Sequence, residues 1–435
     1  MKLLLKKGRV LDPGGKIDGI FDLLLVDGQI AAIHPDISME ADRVIEAAGL
    51  IIAPGFIDLH VHLRQPGFEH KETIASGSRA AARGGFTTIC CMPNTNPPVD
   101  SVETLNLIKN KIHQEAVVNV LPVAAVSIGQ KGQELAPLEQ LAEAGAAAFS
   151  DDGQPVWNSF LMKRAMAGAV SLGKLLIDHC EEKSLSAGGV INEGRISREL
   201  NLPGIPAAAE EIMVARDIIL ARNTGHPVHL AHLSTAGSVE LLAWAKSVGA
   251  PVSAEVTPHH LLLTEEDLLQ HGPVCKVNPP LRTEADRQAL IRALRDGLIE
   301  AIATDHAPHA DEEKNQGLEK APFGINGLET AVPSLLDRLV IRGELPLARL
   351  IEALSTAPAR LLGLENKGRI KPGADADLTL LSLERRTFIS RENMQSKSHN
   401  TPFLNTEFQG AVVMTIVKGM IVYPFEKQPY AEHGR

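Results

Sequence analysis

The sequence predicts an α/β protein built as a (β/α)8 TIM barrel with a small β-sandwich lobe formed by both chain ends. Three observations predict it. Eight apolar strand-like runs alternate with longer helical stretches between residue 55 and about residue 310, the sequence form of a (β/α)8 barrel. The residues before and after that region are short apolar runs separated by turns, as in hairpins. One barrel run after another ends on a histidine or an aspartate, and the C-terminal ends of the strands are where such barrels carry their active sites.

Residues 1–52, with "RVLDPGGKIDG" and "LLLVDGQIAAI", read as the N-terminal part of the lobe. Residues 53–364 read as the barrel, a metal-dependent catalytic domain. Its strands are expected in "GFIDLHVH", "GFTTICCMPN", "VVNVLPVAAV", "AAAFSDD", "LLIDHC", "PVHLAH", "PVSAEVTP" and "IEAIATDH". Between them, "EHKETIASGSRAAARGG", "PAAAEEIMVARDIILARNTG" and "AGSVELLAWAKSVGA" space apolar residues three and four apart and end near glycine, as outer barrel helices should. After helices near 326–341 and 346–362, "GRIKPGADADLTLLSLE" and "GAVVMTIVKGMIV" return to strands and turns, so residues 365–435 read as the C-terminal part of the lobe. No internal repeat or low-complexity segment interrupts this order.

Composition narrows the function. The chain has 435 residues, 44% of them apolar and 22% charged, enough for a large core and a second, smaller lobe. A formal charge of −10 without a basic cluster, and an aromatic content of 3%, argue against a nucleic-acid partner. The start, "MKLLLKKGRVLDPGG", holds too short an apolar patch for a signal peptide, and no stretch of about 18 apolar residues follows. No membrane partner is expected, and the expected compartment is the cytoplasm. The four cysteines lack C-x-x-C spacing and read as small buried hydrophobes.

The strand-end residues are His60, His62, Asp151, Asp152, His179, His232 and Asp305. Residues two apart on a strand face the same side, so His60 and His62 can reach one metal with Val61 packed outward. A single histidine at a strand end is more often a hydrogen-bonded core or surface residue. Four histidines and three carboxylates at five strand ends are different, because each ionisable group converging in an interior needs a partner to offset its desolvation. Three nitrogens and one aspartate make a mononuclear site, whereas this many ligands favour two metals, which lie about 3.5 to 4 Å apart when a group bridges them. The fourth strand ends "FSDDGQP" without a lysine to bridge, so one of its two aspartates must do so; Lys174 lies ahead of the fifth strand, at the wrong end.

"DLHVHLRQPG" with "HKETI", "MPNTNPP", "FSDDG", "HCE", "HLS", "TPHHL", "VNPPLR", "ATDHAPH", "PFGINGLET" and "KPGADADL" resembles the metal-dependent amidohydrolase superfamily and, within it, the long, class I bacterial dihydroorotases. The likeness runs from about residue 10 to 420 in motif order. It implies two zinc ions, one held by His60, His62 and Asp305 and one by His179 and His232, with Asp152 as the bridging carboxylate. It also implies that Arg64, Asn94 and His309 grip the substrate's α-carboxylate, and that Asn278 and the backbone at Phe323 and Gly324 meet its ring. The implied reaction is the reversible, zinc-dependent cyclisation of N-carbamoyl-L-aspartate to L-dihydroorotate in de novo pyrimidine (UMP) biosynthesis, with a bridging hydroxide as nucleophile and Asp305 as general acid and base. Beyond that small-molecule substrate, the candidate partners are a second copy of the chain, as a homodimer, and aspartate carbamoyltransferase.

The residue types fit that chemistry on their own terms. Arg64 can pair with a carboxylate through two parallel hydrogen bonds; a surface arginine is the alternative, but a position two residues past a ligand histidine keeps it near the mouth of the barrel and favours the binding role. Asn94 could instead belong to an N-x-N-P-P turn. The charged segment Ala307–Gly324 could be a solvated connection, but a loop of this length after the eighth strand is unusual for a compact domain and reads as a lid that orders over substrate. The competing functions are another cyclic-amide hydrolase such as a hydantoinase or allantoinase, a mononuclear deaminase, and a metal-free partner of aspartate carbamoyltransferase. Arg64 and the missing bridging lysine weigh against the first, Asp152 against the second, and the full set of ligand histidines against the third.

Overall fold

The computed structural model describes residues 1–424; residues 425–435, the end of the expected C-terminal lobe segment, lie outside the described residues. The chain opens with a meander, β1 (Lys2–Asp12), β2 (Ile17–Val26) and β3 (Gln29–His34), then adds β4 (Arg43–Glu46) and β5 (Ile51–Pro54) alongside β1. The β2–β3 hairpin turns at Asp27-Gly28, both with positive φ, the Asp-Gly signature of a tight two-residue turn. The chain then leaves the lobe through Gly55, whose place leaves no room for a Cβ against Thr87.

The barrel strands follow as β6 (Phe56–Val61), β7 (Phe86–Cys91), β8 (Asn119–Ala124), β9 (Ala148–Ser150) and β10 (Leu175–Asp178), then, past a two-stranded flap of β11 (Ile191–Asn192) and β12 (Gly204–Ile205), β13 (Val228–Leu230), β14 (Val252–Val256) and β15 (Ala301–Ile302). The eight strands pair in parallel in chain order, and His62 N donates to His306 O at 2.8 Å across the seam that closes the cylinder. Leu59, Cys90, Val123, Ala148, Ile177, Ala231 and Ala301, from seven of the strands or their ends, share one buried cluster, which is possible only inside the cylinder.

The expected helices form where their caps allow. Thr73 caps Ile74–Arg83 by accepting from Ser76 N at 3.1 Å, Thr235 caps Ala236–Ser247 in the same way, and Ala208–Thr224 ends on Gly225 at φ +71, the left-handed conformation that glycine adopts freely.

The last strands, β16 (Leu378–Phe388), β17 (Glu407–Val417) and β18 (Met420–Tyr423), join β5 and complete an eight-stranded lobe sheet from both chain ends. Leu3, Leu5, Val10, Leu23 and Leu25 pack with Ile370, Leu378, Leu380 and Ile416 in its core. Between β16 and β17, residues 389–406 leave the sheet and cross the barrel. There the Ser396 hydroxyl donates to buried Glu72, Ser398 Oγ to Lys71 O at 2.7 Å, and Asn326 N to Asn400 O at 2.9 Å. A segment counted with the lobe thus lies against the loops that follow the first and last barrel strands.

Candidate metal centre and its rim

Each site residue sits where a strand runs out. His60 is the penultimate residue of β6 and His62 the first beyond it; Asp152 follows β9 by two residues, His179 follows β10 directly, His232 follows β13 by two and Asp305 follows β15 by three. The β6–β7 pairing is irregular between Asp58 and Val61, yet His60 and His62 converge, with ring centroids 5.3 Å apart. Three residues here hold backbones in the left-handed region, Arg64 at φ 61, His232 at φ 34 and Asp305 at φ 45. Such conformations cost a non-glycine residue about 1 to 3 kcal/mol and gather at working sites.

Asp152 is the hub of the cluster. Its Oδ2 lies 3.2 Å from His60 Nε2 and 3.4 Å from His62 Nε2, and its Oδ1 lies 3.5 Å from His232 Nε2 and 3.7 Å from His179 Nδ1. Asp305 Oδ1 is 3.0 Å from His62 Nε2 and 3.7 Å from His60 Nε2. Asp151 turns away: its carboxylate accepts from Val126 N at 2.8 Å, Ser127 N at 3.0 Å and the Ser127 hydroxyl, and burial lifts its pKa to about 6.

The outward nitrogens are held by acceptors. His60 Nδ1 meets Glu255 at 3.0 Å, His62 Nδ1 meets Asn94 Oδ1 at 2.9 Å, and His179 Nε2 meets Glu181 at 3.0 Å. A neutral imidazole that donates outward has a lone pair inward, so these rings aim lone pairs at the Asp152 carboxylate. Among the described residues, buried His60 Nε2 and Asp152 Oδ1 have no hydrogen-bond partner, and His179 Nδ1 and His232 Nε2 face each other at 2.8 Å. Orphaned acceptors pointing at one another call for a cation.

The charges agree. Burial disfavours charge on His60, but Asp152, Glu255 and Asp305 outweigh it and raise its pKa well above the usual range. Burial would raise Asp152 and Asp305 as well, but the surrounding histidines hold both well below the usual carboxylate range. The ligand atoms of His60, His62 and Asp305, and those of His60, Asp152 and His232, each lie within 4.8 Å of one another. Imidazoles with carboxylates are a donor set that suits a divalent transition metal such as zinc.

The rim is cationic. Arg64 Nε donates to Pro308 O at 3.2 Å, its NH2 lies 3.2 Å from His309 Nε2, and burial lowers its pKa only to about 10, so it stays charged at neutral pH. His309 Nε2 lies 2.9 Å from Phe323 O and its Nδ1 3.3 Å from Lys71 Nζ. Burial, with Arg64, Lys71 and Lys314 nearby, depresses its pKa and keeps it neutral. Asn278 Nδ2 donates to Glu181 at 3.2 Å.

One cavity of ≈ 570 Å³ has Arg64, Asn94, Asn278, His309, Phe323 and Gly324 on the same wall system as His62, Asp152, His179, His232 and Asp305, with His60 fully buried beneath. Every site residue expected from the sequence is brought to this place. The segment Ala307–Gly324 folds into two single turns, Asp311–Lys314 and Gly317–Lys320, held by buried Lys314, which donates to the carbonyls of Lys276, Pro322 and Gly324.

Sequence reasoning missed Glu181 and Glu255. Each carried a signal: Glu181 stands two residues past His179, and Glu255 is an acid inside the otherwise apolar run "PVSAEVTP".

Comparison with known proteins agrees with this geometry. The Dihydro-orotase-like family matches residues 49–238, and the Amidohydrolase family matches residues 292–423. The chain is 49% identical to the dihydroorotase of Syntrophus aciditrophicus over 97% of its own length and 99% of that protein, and 49% identical to that of Pelotomaculum thermopropionicum over 97% and 98%. Among solved structures it superposes on the L-hydantoinase (dihydropyrimidinase) of Arthrobacter aurescens with a TM-score of 0.87 at 28% identity, covering 96% of this chain and 95% of that one. Identity of this order along nearly the whole chain, on a closed barrel with this cluster at its mouth, places the protein in the dihydroorotase family of amidohydrolase-superfamily enzymes.

Proposed function

We propose that the chain is a zinc-dependent dihydroorotase that interconverts N-carbamoyl-L-aspartate and L-dihydroorotate, the ring-closing step of de novo pyrimidine biosynthesis. The observation that carries this reading is Asp152 set between two histidine pairs, His60 with His62 and His179 with His232, directly beside the Arg64 rim. His60, His62 and Asp305 would hold one zinc, His179 and His232 the second, with Asp152 shared. Such a pair of ions supplies an acidified water and polarises the amide carbonyl under attack.

The chain's own residues do the rest. The Asp305 carboxylate, held ionised by the histidines around it, accepts the proton of the attacking water and delivers it to the ring nitrogen as the cyclic amide opens; ring closure runs the same transfers in reverse. Arg64 stays cationic and turns its guanidinium to the cavity beside neutral His309, a setting that takes the substrate's α-carboxylate, with Asn94 completing the grip. Asn278 gives its amide N–H to Glu181, which leaves its Oδ1 to accept from a ring N–H, next to the backbone at Phe323 and Gly324.

The test is metal analysis together with turnover of dihydroorotate and carbamoyl-aspartate by the purified protein. Two zinc ions per chain, with turnover abolished by a chelator and restored by zinc, is the expected result. Turnover that survives complete removal of metal would overturn the reading.

A further inference from the structure

The crossing segment 389–406 belongs by sequence to the lobe, yet one of its side chains ties together the loop that carries the rim. Asn400 is buried, and both its amide N–H groups and its amide oxygen bond that loop. Its Nδ2 donates to Ala307 O at 3.0 Å and to Gly324 O at 3.0 Å, and its Oδ1 accepts from His309 N at 3.0 Å. These three positions begin, carry the rim histidine of, and end the loop after the eighth strand. The closeness of the two ends is built in: Gly324 has φ +145, and a Cβ there would lie 2.7 Å from Ala307 O and 3.0 Å from the His309 ring.

The segment is itself anchored to the barrel. Ser396 and Lys397 N bond Glu72, which also lies 3.3 Å from His306 Nε2, and Asn326 Nδ2 donates to Ser396 Oγ at 2.7 Å. Asn400 is therefore a fixed point rather than a passenger on a mobile loop.

We propose that Asn400 is a positioning residue for substrate recognition: it sets the distance from His309 to the Gly324 backbone, and with it the pocket for the substrate's carboxylate and ring. It touches neither substrate nor metal. This rests on the proposed dihydroorotase reading, in which His309 and Gly324 face the substrate. A single amide that donates to both ends of the loop cannot be replaced by a carboxylate, which would repel both carbonyls.

Asn400→Asp in the zinc-loaded, full-length protein is the test. KM for dihydroorotate should rise about tenfold, the size of one lost buried hydrogen-bond pattern, with a smaller change in kcat. Turnover of neutral dihydrouracil should fall less than that of dihydroorotate, because it offers the ring but no carboxylate for His309 to meet; zinc content should be unchanged, and amide exchange over residues 305–310 and 322–326 should speed up. Should that variant fail to fold, Asn400→Ser, too short to span both carbonyls, carries the same expectations. An unchanged KM for dihydroorotate in either folded variant, or equal losses on the acidic and neutral substrates, overturns the proposal, the latter because it marks a general scaffold role. If the parent itself does not turn over dihydroorotate, the functional reading fails separately, and amide exchange still decides the clasp: unchanged protection over both segments sinks it.

Discussion

His60 Nδ1 lies 3.0 Å from one carboxylate oxygen of Glu255, and the other oxygen of that carboxylate lies 3.1 Å from His229 Nε2. Glu255 is fully buried, and although burial would raise its pKa, His229 and His60 hold it down at about 2. A charged acceptor on the outer nitrogen fixes the ring's tautomer and angle and strengthens the inward lone pair. Glu255→Ala should weaken zinc binding by about 10- to 100-fold, measured by competition with a coloured chelator. Unchanged affinity would show that His60 keeps its orientation without Glu255.

Removing an inward ligand should do more. His60→Ala and His232→Ala each delete a nitrogen facing Asp152 at 3.2 and 3.5 Å. Most bound zinc and most turnover should disappear together in each variant. Full zinc content in either would remove that histidine from the ligand set.

Asp305→Asn separates holding the metal from moving the proton. The amide keeps an oxygen where Asp305 Oδ1 sits, 3.0 Å from His62 Nε2, but accepts no proton near neutrality. Zinc should largely remain while kcat falls by about two to four orders of magnitude. Turnover close to the parent's would assign the proton to another group.

The barrel and the histidine–aspartate cluster were legible because both are periodic or terminal features of the chain. Eight apolar runs each ended on their own punctuation, and His60, His62, His179, His232 and Asp305 stood at those ends. What stayed hidden depends on tertiary distance. Asp151 and Asp152 are indistinguishable in the sequence, and only the turn after β9 sends one to Ser127 and the other to the histidines. Glu255 reads as an anomaly in a strand until His60 is seen 195 residues away. Asn400 gives no local signal at all, because its partners Ala307, His309 and Gly324 lie 93, 91 and 76 residues earlier.

Lys314 ties stability to pH. Burial, with Lys276 nearby, lowers its pKa to about 7, whereas a lysine in the unfolded chain titrates near ~10.4. Between those values the unfolded chain holds a proton that the folded protein has released. Folded stability should therefore rise with pH above about 7, and that contribution is lost as the pH falls back through 7. Lys314→Met removes the titrating group, so the stability of the parent relative to this variant should increase between pH 7 and about 9.5. A difference that stays flat over that range would mean that Lys314 keeps an ordinary pKa in the fold.

On the proposed reading, the Arg64 rim would separate dihydroorotase activity from a hydantoinase-like activity on the same barrel. Arg64 holds a positive φ of 61 two residues past His62, and its guanidinium turns back to Pro308 and His309 at 3.2 Å. Burial lowers its pKa to about 10 without discharging it. The pocket therefore holds a cation that a neutral cyclic amide has nothing to match, and such a substrate should be turned over poorly by the parent. Arg64→Met keeps much of the side chain's length and removes the charge. It should cripple kcat/KM for dihydroorotate and carbamoyl-aspartate by the loss of a charge-assisted pair worth on the order of 2 to 4 kcal/mol, roughly 30- to 1,000-fold. Zinc content should hardly change, since Arg64 bonds no member of the metal cluster. Hydrolysis of dihydrouracil should change little, so the ratio of the two kcat/KM values should collapse toward the neutral substrate. The decisive comparison is that ratio in both proteins. A parent that prefers dihydrouracil or a neutral hydantoin, or a ratio untouched by Arg64→Met, would make a hydantoinase-like activity the better reading of the same barrel.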